Sequence, residues 1–521
     1  MTRLHDISDA TARVHGARTA LRQRGREVTH AQLAARSRAL AAGLATLGVA
    51  RGTRVVVYLQ NRMEVVELAL ACSRLGAIFV PANPLLKARQ LRHIISDSGA
   101  ATLVFSNSMN SVVSEALSAG VAPLCIVCDG DEAPTIAGRK AILYESLPGA
   151  AGSPPENPVI DRDPLAILYT SGSTGAPKGV VVSHRNVVSG AIEVSRYLQN
   201  SPDDRLLTAL PLSFDYGLSQ VTTALAVGAC AVLTNYSTAA ALVQEIALEK
   251  ITGLAGVPTM WAHLVESEFA PTQLQSLRYA TNSGGALSHA LLRKLQQRLP
   301  GARIFSMYGL TEAFRSTYLD PAELERRPNS IGKAVANQEV MVLRPDGTPC
   351  AANEPGELVH RGSFVALGYW NDSERTHRRF RPLPAANHGL VDEIAVWSGD
   401  IARYDADGFL YFMGRNDQLI KTSGHRISAT EIEDVLSEVP GVVEVVAVGL
   451  PDELLGQRVA VALVASPGAT GALIDKVRQH ARIHLPTFMV PTQLTVLAGI
   501  PRNANGKPDR SALANLLERG G

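Results

Sequence analysis

The segment YTSGSTGAPKGV, residues 169–180, directly follows the apolar residues 165–168 and is rich in glycine, serine and threonine. Glycines allow positive φ and close backbone approach, so amide hydrogens can point at phosphate oxygens. The segment is not a Walker loop, because Pro177 stands where a glycine should precede the lysine. The alternative is a flexible linker, but linkers seldom separate a buried-strand pattern from a helix-like run such as residues 184–198. The pattern therefore predicts a phosphate-binding loop at the end of a strand. Its candidate contacts are Thr170, Ser171, Gly172, Ser173, Thr174, Gly175 and Lys178.

Length and charge restrict the class of protein. The chain has 521 residues, 46% of them hydrophobic, which exceeds a single core and predicts roughly two to four structural units. Its 50 basic and 48 acidic residues give a net charge of +2, so nothing indicates nucleic acid or an anionic membrane as the main partner. No apolar run approaches the ~18 residues that cross a bilayer, and no secretory or transit peptide is evident. We therefore expect a cytoplasmic protein without membrane insertion that acts on a small molecule.

The order of elements predicts the fold class. Helix-like and strand-like segments alternate from about residue 29 to about residue 308, which predicts parallel sheets covered by helices. From about residue 331 to 414 the pattern changes to short strands with hairpin signals such as Asp346-Gly347 and Asp407-Gly408. After residue 415 it changes again, to an α+β order. We expect an α/β fold with a large N-terminal domain over residues 1–414, including a β subdomain over about 331–414, and a small, mobile C-terminal α+β domain over residues 415–521.

Four further motifs follow the loop in order. They are SGGALS at 283–288, YGLTEAF at 308–314, WSGDIARYDADGFLYFMGR at 397–415 and PRNANGKPDR at 501–510. Together with the loop, these motifs resemble those of the adenylate-forming superfamily of acyl-CoA synthetases, aryl and amino-acid adenylation domains and luciferases. The resemblance implies a two-step reaction that uses ATP and Mg²⁺. A carboxylate attacks the α-phosphorus of ATP to give an acyl-adenylate and pyrophosphate. The thiol of coenzyme A, or of the phosphopantetheine on a carrier protein, then displaces AMP.

The motif residues suit that chemistry. A carboxylate approaching a triphosphate meets like-charge repulsion, so cations and amide dipoles must surround the phosphates beforehand. The resemblance assigns Lys178 to the β and γ phosphates and Glu312 to Mg²⁺, for which a hard oxygen ligand is suitable. The alternative for Glu312 is a structural salt bridge.

The nucleoside end depends on small side chains and one carboxylate. Gly284, Gly285 and Ala286 offer a flat surface for adenine, and Tyr308 can stack on the other face of the base. Asp400 resembles the aspartate that accepts both ribose hydroxyls. A tight strand-to-helix turn would also explain the glycines, and a turn would explain the aspartate. The resemblance adds Gly309 and Arg415 to the nucleotide contacts. It assigns the hydroxyl of Thr311 to a phosphate and implies that Thr311 is catalytic together with Glu312 and Lys507.

Three positions near the C-terminus are assigned by the resemblance. Lys507 matches the lysine that reaches the carboxylate and the α-phosphate during adenylation, although a lysine after Asn-Gly would, alone, indicate a surface turn. Asp417 matches the hinge between the domains. Gly424 lies in a segment that would replace the Lys507 turn in the second step, and its missing β-carbon would let the pantetheine arm pass.

The sequence gives less direct evidence for the identity of the carboxylic acid substrate. Residues 211–217 read PLSFDYG, and Phe-Asp at this place is common in amino-acid adenylation domains, where the aspartate pairs with the substrate ammonium. Asp215 therefore favours an amino acid or another small polar acid, because a buried carboxylate needs a counter-charge. Arg315 is a second candidate pocket charge, and it could instead pair with Asp215. The alternative substrate is a fatty or aryl acid.

The C-terminal sequence, for example VGLPDELLGQRVAVALV, resembles that of acyl-CoA ligases more than that of modular peptide synthetases. Because the chain ends soon after Lys507, we expect a stand-alone ligase similar to exosortase-associated acyl-CoA ligases or free-standing prolyl-type carrier-protein ligases, with a separate carrier protein as a candidate partner. Two other classes compete. The missing Walker pattern argues against a P-loop phosphotransferase, and Lys507 and Glu312 argue against a non-catalytic nucleotide-binding protein.

Overall fold

The computed structural model of the chain describes residues 2–118, 123–129, 132–147, 158–170, 177–383, 393–415, 420–422, 425–452, 456–469, 472–485, 487–503 and 506–519. The helices are α1 Leu4–His15, α2 His30–Thr46, α3 Met63–Leu75, α4 Ala88–Ser98, α5 Asn110–Leu117, α6 His184–Tyr197, α7 Asp215–Val227, α8 Ala239–Glu249, α9 Pro258–Glu266, α10 His289–Arg298, α11 Ser373–Arg379, α12 Ala429–Ser437, α13 Leu473–His484 and α14 Arg510–Arg519. The strands are β1 Thr19–Gln23, β2 Arg26–Thr29, β3 Arg54–Tyr58, β4 Ile78–Pro81, β5 Thr102–Phe105, β6 Leu124–Val127, β7 Thr135–Ile136, β8 Arg139–Lys140, β9 Ile142–Leu143, β10 Pro164–Thr170, β11 Lys178–Ser183, β12 Arg205–Thr208, β13 Cys230–Leu233, β14 Gly253–Gly256, β15 Tyr279–Asn282, β16 Arg303–Tyr308, β17 Thr317–Leu319, β18 Ser330–Ala334, β19 Gln338–Leu343, β20 Gly356–Gly362, β21 Gly368–Tyr369, β22 Phe380–Leu383, β23 Glu393–Tyr404, β24 Leu410–Arg415, β25 Ile420–Thr422, β26 His425–Ile427, β27 Val442–Asp452, β28 Gly456–Ala465 and β29 Gln493–Val496.

Two large sheets form the N-terminal part of the fold. The eight-stranded sheet has the order β21-β11-β10-β4-β3-β5-β6-β9, and its strands from β10 to β9 pair in parallel. The 14-stranded sheet has the order β19-β20-β23-β24-β18-β17-β16-β15-β14-β12-β13-β1-β2, with β22 also paired to β23, and its strands from β16 to β1 pair in parallel. The side chains of Val55, Val56 and Val57 in β3 are fully buried, as expected for a strand covered on both faces. The predicted α/β fold with parallel sheets covered by helices is confirmed.

The structure differs from the sequence prediction at the phosphate-binding loop. The loop was expected to lead from a strand into a helix, but Lys178–Ser183 forms β11, which pairs antiparallel with β10 before α6 begins. Thr170 and Lys178 are directly paired in this ladder. The loop therefore joins two neighbouring strands, and the lysine at its end is fixed by sheet hydrogen bonds. Because β11 is nearly fully buried, its continuous apolar run carries no alternating signal.

The predicted β subdomain continues one of the large sheets. From β16 onward the strands β17, β18, β24, β23, β20 and β19 pair antiparallel, so the β region extends the parallel sheet through β17 and β18. This continuity brings the end of β16, with the motif at 308–314, near β23 and β24, which carry the motif at 397–415.

The C-terminal part contains a five-stranded sheet of order β26-β25-β28-β27, with β29 beside β28. Helices α12 and α13 pack on one of its hydrophobic cores, which includes Ile432, Val461 and Val477. An α+β unit of this kind agrees with the sequence prediction. The predicted hinge at Asp417 lies outside the described residues, and the domain limits stay predictions. Of the helices that the structure describes, not one combines the length and the apolar character needed to cross a membrane.

Candidate active site

Lys178, Glu312 and Tyr369 form a buried polar cluster at the edge of the eight-stranded sheet. The Lys178 Nζ donates to Glu312 Oε1 at 2.7 Å and lies 2.9 Å from the Tyr369 hydroxyl, which donates to the same carboxylate oxygen at 2.5 Å. Lys178 begins β11, Tyr369 ends β21, and Glu312 lies in the short 3₁₀ turn Thr311–Ala313 after β16. Pairing of β11 with β21 brings Lys178 and Tyr369 together. Glu312 comes close to both from the turn that follows β16.

The charges of this cluster are set by burial and by the ion pair. Burial opposes ionisation of Glu312, but the charge and hydrogen bond of Lys178, with the hydrogen bond of Tyr369, lower its pKa to about 2. Burial lowers the pKa of Lys178, and Glu312 opposes that shift. The carboxylate is therefore ionised over the whole physiological range.

The carboxylate of Glu312 fits the Mg²⁺ that the motifs imply. Both of its hydrogen bonds reach Oε1, and Oε2 accepts none from the described residues. Mg²⁺ in nucleotide enzymes is bound by one or two carboxylates together with substrate phosphates and water. Within the described ranges no group of three or more acidic, histidine or cysteine side chains could hold a metal. A site that relies on one carboxylate and a phosphate ligand agrees with both observations.

The phosphate loop itself is only partly described. Thr170 ends β10, and its buried hydroxyl has no hydrogen-bond partner among the residues that the structure describes. Lys178 lies opposite Thr170 in the ladder. The predicted contacts Ser171, Gly172, Ser173, Thr174 and Gly175 lie outside the described residues.

Tyr308 and Asp400 meet where β16 approaches β23. The Tyr308 hydroxyl donates to Asp400 Oδ2 at 2.5 Å, and Arg415 Nη1 lies 3.5 Å from Asp400 Oδ1. Burial raises the pKa of Asp400, and the charge of Arg415 opposes the rise. One face of the Tyr308 ring is taken by the buried imidazole of His360, at a centroid distance of 6.1 Å and an interplanar angle of 19°. The ring of Phe412 lies at a centroid distance of 6.0 Å and an interplanar angle of 33°, so two aromatic neighbours restrict the ring surface that Tyr308 can offer to a ligand.

The predicted glycine surface follows β15. Gly284 has a φ of 80°, which favours glycine, and a β-carbon on Gly285 would lie 3.1 Å from Cγ of Pro258. Ala286 and Gly285 are exposed, so the surface is open. A β-carbon on Gly309, in the next motif, would lie 2.6 Å from the carbonyl oxygen of Phe314, so only glycine fits there.

Lys507 reaches this surface from the C-terminal domain. A β-carbon on Gly284 would lie 3.9 Å from Cε of Lys507 and 3.9 Å from Cζ of Phe214. The residue as a whole remains exposed, but the surrounding protein desolvates its ammonium and lowers its pKa, against the charges of Asp215 and Asp400. The structure thus brings together residues separated by more than two hundred positions in the chain.

Asp215 and Arg315 are both buried but do not form an ion pair. Asp215 opens α7, and its Oδ1 accepts a hydrogen bond from the backbone N–H of Tyr216 at 2.9 Å. The guanidinium of Arg315 stacks 4.2 Å from the centroid of the Tyr216 ring, and its Nε and Nη2 have no hydrogen-bond partner in the described part of the chain. Burial raises the pKa of Asp215, and the charges of Arg315 and Lys507 oppose the rise. The direct Asp215–Arg315 pair that the sequence left open is absent.

Sequence reasoning missed two side chains of the site. Tyr369 and His360 contact predicted residues but belong to no motif that we identified, and a single tyrosine or histidine on a strand has no distinctive pattern. Thr311, in contrast, was predicted and is buried at the start of the turn that carries Glu312. Asp417 and Gly424 lie outside the described residues.

Fold and site together define the class: a large α/β domain carries a lysine–carboxylate cluster and a glycine surface, and a small α+β domain supplies a second lysine. The chain belongs to the AMP-binding enzyme family. The sequence profile of that family, described as AMP-binding enzyme, matches residues 8–370, and the profile of the AMP-binding enzyme C-terminal domain matches residues 431–507.

Relatives of known name span nearly the whole chain. An indoleacetate–CoA ligase of Aromatoleum aromaticum is 30% identical over 99% of this chain and 98% of its own length. An L-proline–[L-prolyl-carrier protein] ligase of Pseudomonas fluorescens is 30% identical over 94% of each chain. The crystal structure of an anthranilate CoA ligase in complex with anthranoyl-AMP is 25% identical, with a TM-score of 0.90 over 99% of this chain and 98% of that chain. The chain also matches subunits D and C of the linear gramicidin synthase of Brevibacillus parabrevis, of which it spans only 9% and 6%.

Proposed function

We propose that the chain activates a carboxylic acid with ATP and then transfers the acyl group to a pantetheine thiol. In the first step an acid oxygen attacks the α-phosphorus, a P–O bond to the pyrophosphate breaks, and an acyl-adenylate forms. In the second step a thiol attacks the acyl carbon and AMP leaves. The observation that carries the proposal is the approach of Lys507 to Gly284 and Asp215, on the same side of the fold as Asp400.

Each charged side chain has a role in this proposal. Lys178 and the loop amides bind the β and γ phosphates, and Glu312 binds Mg²⁺, which would supply positive charge against the phosphates. Asp400 and Arg415 hold the ribose and its phosphate, while Tyr308 orients Asp400 and offers adenine the part of its ring that His360 and Phe412 leave uncovered. Lys507 binds the acid oxygen and the α-phosphate, where negative charge is concentrated in the transition state.

For the acid, we favour an amino acid or another small acid with a cationic group. Asp215 is buried without an ion-pair partner among the described residues, and an unpaired buried carboxylate is costly unless a ligand supplies the counter-charge. The prolyl carrier-protein ligase among the relatives agrees with this choice. An aryl acid is the second candidate, because the names of two other similar proteins refer to indoleacetate and anthranilate.

The thiol is coenzyme A or the phosphopantetheine of a separate carrier protein. A coenzyme A ligase and a carrier-protein ligase are both among the relatives, and each is 30% identical to the chain. In either case Asp417 would act as the hinge and Gly424 would face the thiol in the second step, as the motifs imply.

Acid-dependent exchange of labelled pyrophosphate into ATP tests the proposal. The protein is assayed with amino, aryl and fatty acids in parallel, and the thioester product is then measured with coenzyme A and with a holo-carrier protein. We expect exchange with at least one acid, strongest for a cationic one. Failure of every acid to support exchange, with intact ATP binding, would refute the ligase function.

A further inference from the structure

Arg379 lies at the centre of the charged site although no motif includes it. It ends helix α11, and its Nη1 lies 2.6 Å from the position that a β-carbon would take on Gly399. Nη2 of Arg415 lies 3.7 Å from the same position. Gly399 has a φ of 66° and immediately precedes Asp400 in β23. Two guanidinium groups therefore flank one glycine of the nucleotide motif.

The other arginines of α11 are paired, whereas Arg379 has no ion-pair partner among the described residues. Arg375 Nε lies 3.4 Å from Asp372, and Arg378 Nη1 lies 3.2 Å from Glu374. The Nε of Arg379 is buried without a hydrogen-bond partner, and its guanidinium makes no ion pair with any residue that the structure describes. A partly buried arginine with unused donors is a candidate for binding an anionic ligand.

The charge of Arg379 shifts the pKa of groups in both the lysine–carboxylate cluster and the Tyr308–Asp400 pair. Burial is the main influence on the pKa of each neighbouring group, and the charge of Arg379 lowers the pKa in every case. The affected groups are Lys178, Tyr308, Glu312, His360, Tyr369 and Asp400. Arg379 is thus close enough to both the lysine–carboxylate cluster and the Tyr308–Asp400 pair for its charge to act on each.

The charges around Arg379 do not balance. Four cations lie in this group of charges, namely Lys178, Arg379, Arg381 and Arg415. Its carboxylates are three: Glu312, Asp400 and Glu357, which accepts a hydrogen bond from the N–H of Gly399 and lies 3.6 Å from Arg381. Like charges held close together in a partly desolvated site require a counter-anion, and phosphate oxygens accept well from the planar guanidinium fork.

We propose that Arg379 is a phosphate-binding residue that, together with Arg415, contacts the phosphate chain of the nucleoside triphosphate between its ribose and its metal-bound end. This inference rests on the proposed function, since it assigns a further contact to the same substrate. Arg379 adds positive charge where pyrophosphate leaves, and so stabilises the charge that develops on the leaving group.

Calorimetric titration of the full chain with ATP, inorganic pyrophosphate and adenosine tests the inference. Arg379→Ala is compared with Arg379→Lys and with the control Arg378→Ala, whose side chain is exposed on the same helix. We expect Arg379→Ala to weaken ATP and pyrophosphate binding at least ~10-fold, as for loss of a charged hydrogen bond, and to leave adenosine binding unchanged. Arg379→Lys should restore part of the loss, and Arg378→Ala should bind like the wild type.

Two results would overturn the inference: equal ATP binding by Arg379→Ala and wild type, or an equal loss of ATP and adenosine binding, which indicates a structural role. Thermal unfolding identifies a misfolded variant, and Arg379→Gln, which keeps most of the side-chain volume, then replaces Arg379→Ala in the same titrations. Pyrophosphate exchange by the wild type separates this failure from failure of the proposed function. If exchange is normal and Arg379→Ala binds ATP normally, only the assignment of Arg379 is wrong.

Discussion

Lys178 Nζ lies 2.7 Å from Glu312 Oε1, although 134 positions separate the two residues in the chain. Lys178 is 19% exposed and Glu312 is 7% exposed, so the pair is largely removed from water. Removing one partner of such a pair costs roughly 3 kcal/mol, because the other charge stays buried without compensation. The Lys178–Glu312 ion pair therefore contributes to the stability of the fold. It also lies beside Thr311 and Tyr369 in the candidate active site.

Replacing Lys178 should change how stability depends on pH. The pKa of Glu312, about 2, lies below that of a free glutamate, so its ionised form stabilises the wild-type fold above pH ~4.3 and this contribution is lost as the pH falls toward 2. In Lys178→Gln burial dominates and raises the pKa of Glu312 above that of a free glutamate, so the folded variant binds the proton more tightly than the unfolded chain does. Its stability should therefore be lowest at pH 7 to 8 and should increase as the pH falls toward 5. Thermal unfolding at pH 5 to 8 measures this. Lys294→Gln, which breaks an exposed pair with Glu266, is the control and should change little.

Tyr369→Phe should weaken the function of the cluster without unfolding it. The variant loses the hydroxyl that contacts both Glu312 and Lys178 but keeps the ring, so we expect kcat/KM for ATP to fall ~10-fold, as for one hydrogen bond to a charged group. Steady-state kinetics with varied ATP measure the effect. Tyr411→Phe removes a comparable hydroxyl–carboxylate contact, to Asp405, outside the site. An equal loss in both variants would contradict a specific role for Tyr369.

Lys507→Ala should separate the two half-reactions. Because the proposal assigns Lys507 to the acid and the α-phosphate, adenylate formation should fall at least ~100-fold, while thioester formation from a supplied acyl-adenylate should persist. Pyrophosphate exchange and single-turnover thioester formation measure the two steps. Lys476→Ala, an exposed lysine of the same domain, serves as the control. Equal loss of both steps would falsify the assignment.

Asp215→Asn should impair activation of cationic acids and stabilise the free protein. Burial raises the pKa of Asp215, so the folded state binds its proton more tightly, and stability is lost as the pH rises from ~3.9 through the raised pKa. The neutral amide should therefore raise the thermal midpoint at pH 7 but not at pH 4. Exchange with an amino acid should fall at least ~30-fold, and exchange with an uncharged aryl acid should not. The exposed Asp203, replaced by Asn, is the control. Unchanged exchange with the best cationic acid would remove the ammonium role.

Gly190→Ala should disturb the site from a distance. A β-carbon on Gly190 would lie 2.5 Å from the ring of Phe314, which has a φ of 48° and lies between Glu312 and Arg315 in the chain. Movement of this strained residue should displace both charged neighbours, so we expect a loss of activity together with a lower thermal midpoint. Gly301→Ala is the control, since nothing lies within 4 Å of its β-carbon position. Wild-type kinetics in Gly190→Ala would show that Phe314 does not hold these charges in place.

Local patterns predicted much of the architecture. The alternation of strands and helices before residue 308 predicted the parallel sheets covered by helices, because each element has its own periodicity and its own end signals. The change to hairpin signals near residue 331 also indicated the β region correctly. Strand β11 was missed, because a short apolar strand buried on both faces shows no alternation.

The sequence by itself determined the family, the α/β order and the chemistry-bearing motifs, because glycine positions, charges and apolar periods are local properties of the chain. Only the tertiary structure decided which of these groups meet. Lys178 with Glu312 and Tyr369, Tyr308 with His360, and the absence of an Asp215–Arg315 pair depend on strand pairing and burial between distant segments. The position of Arg379 beside Gly399 is of the same kind, since no local pattern records how a helix end faces a strand in the folded chain.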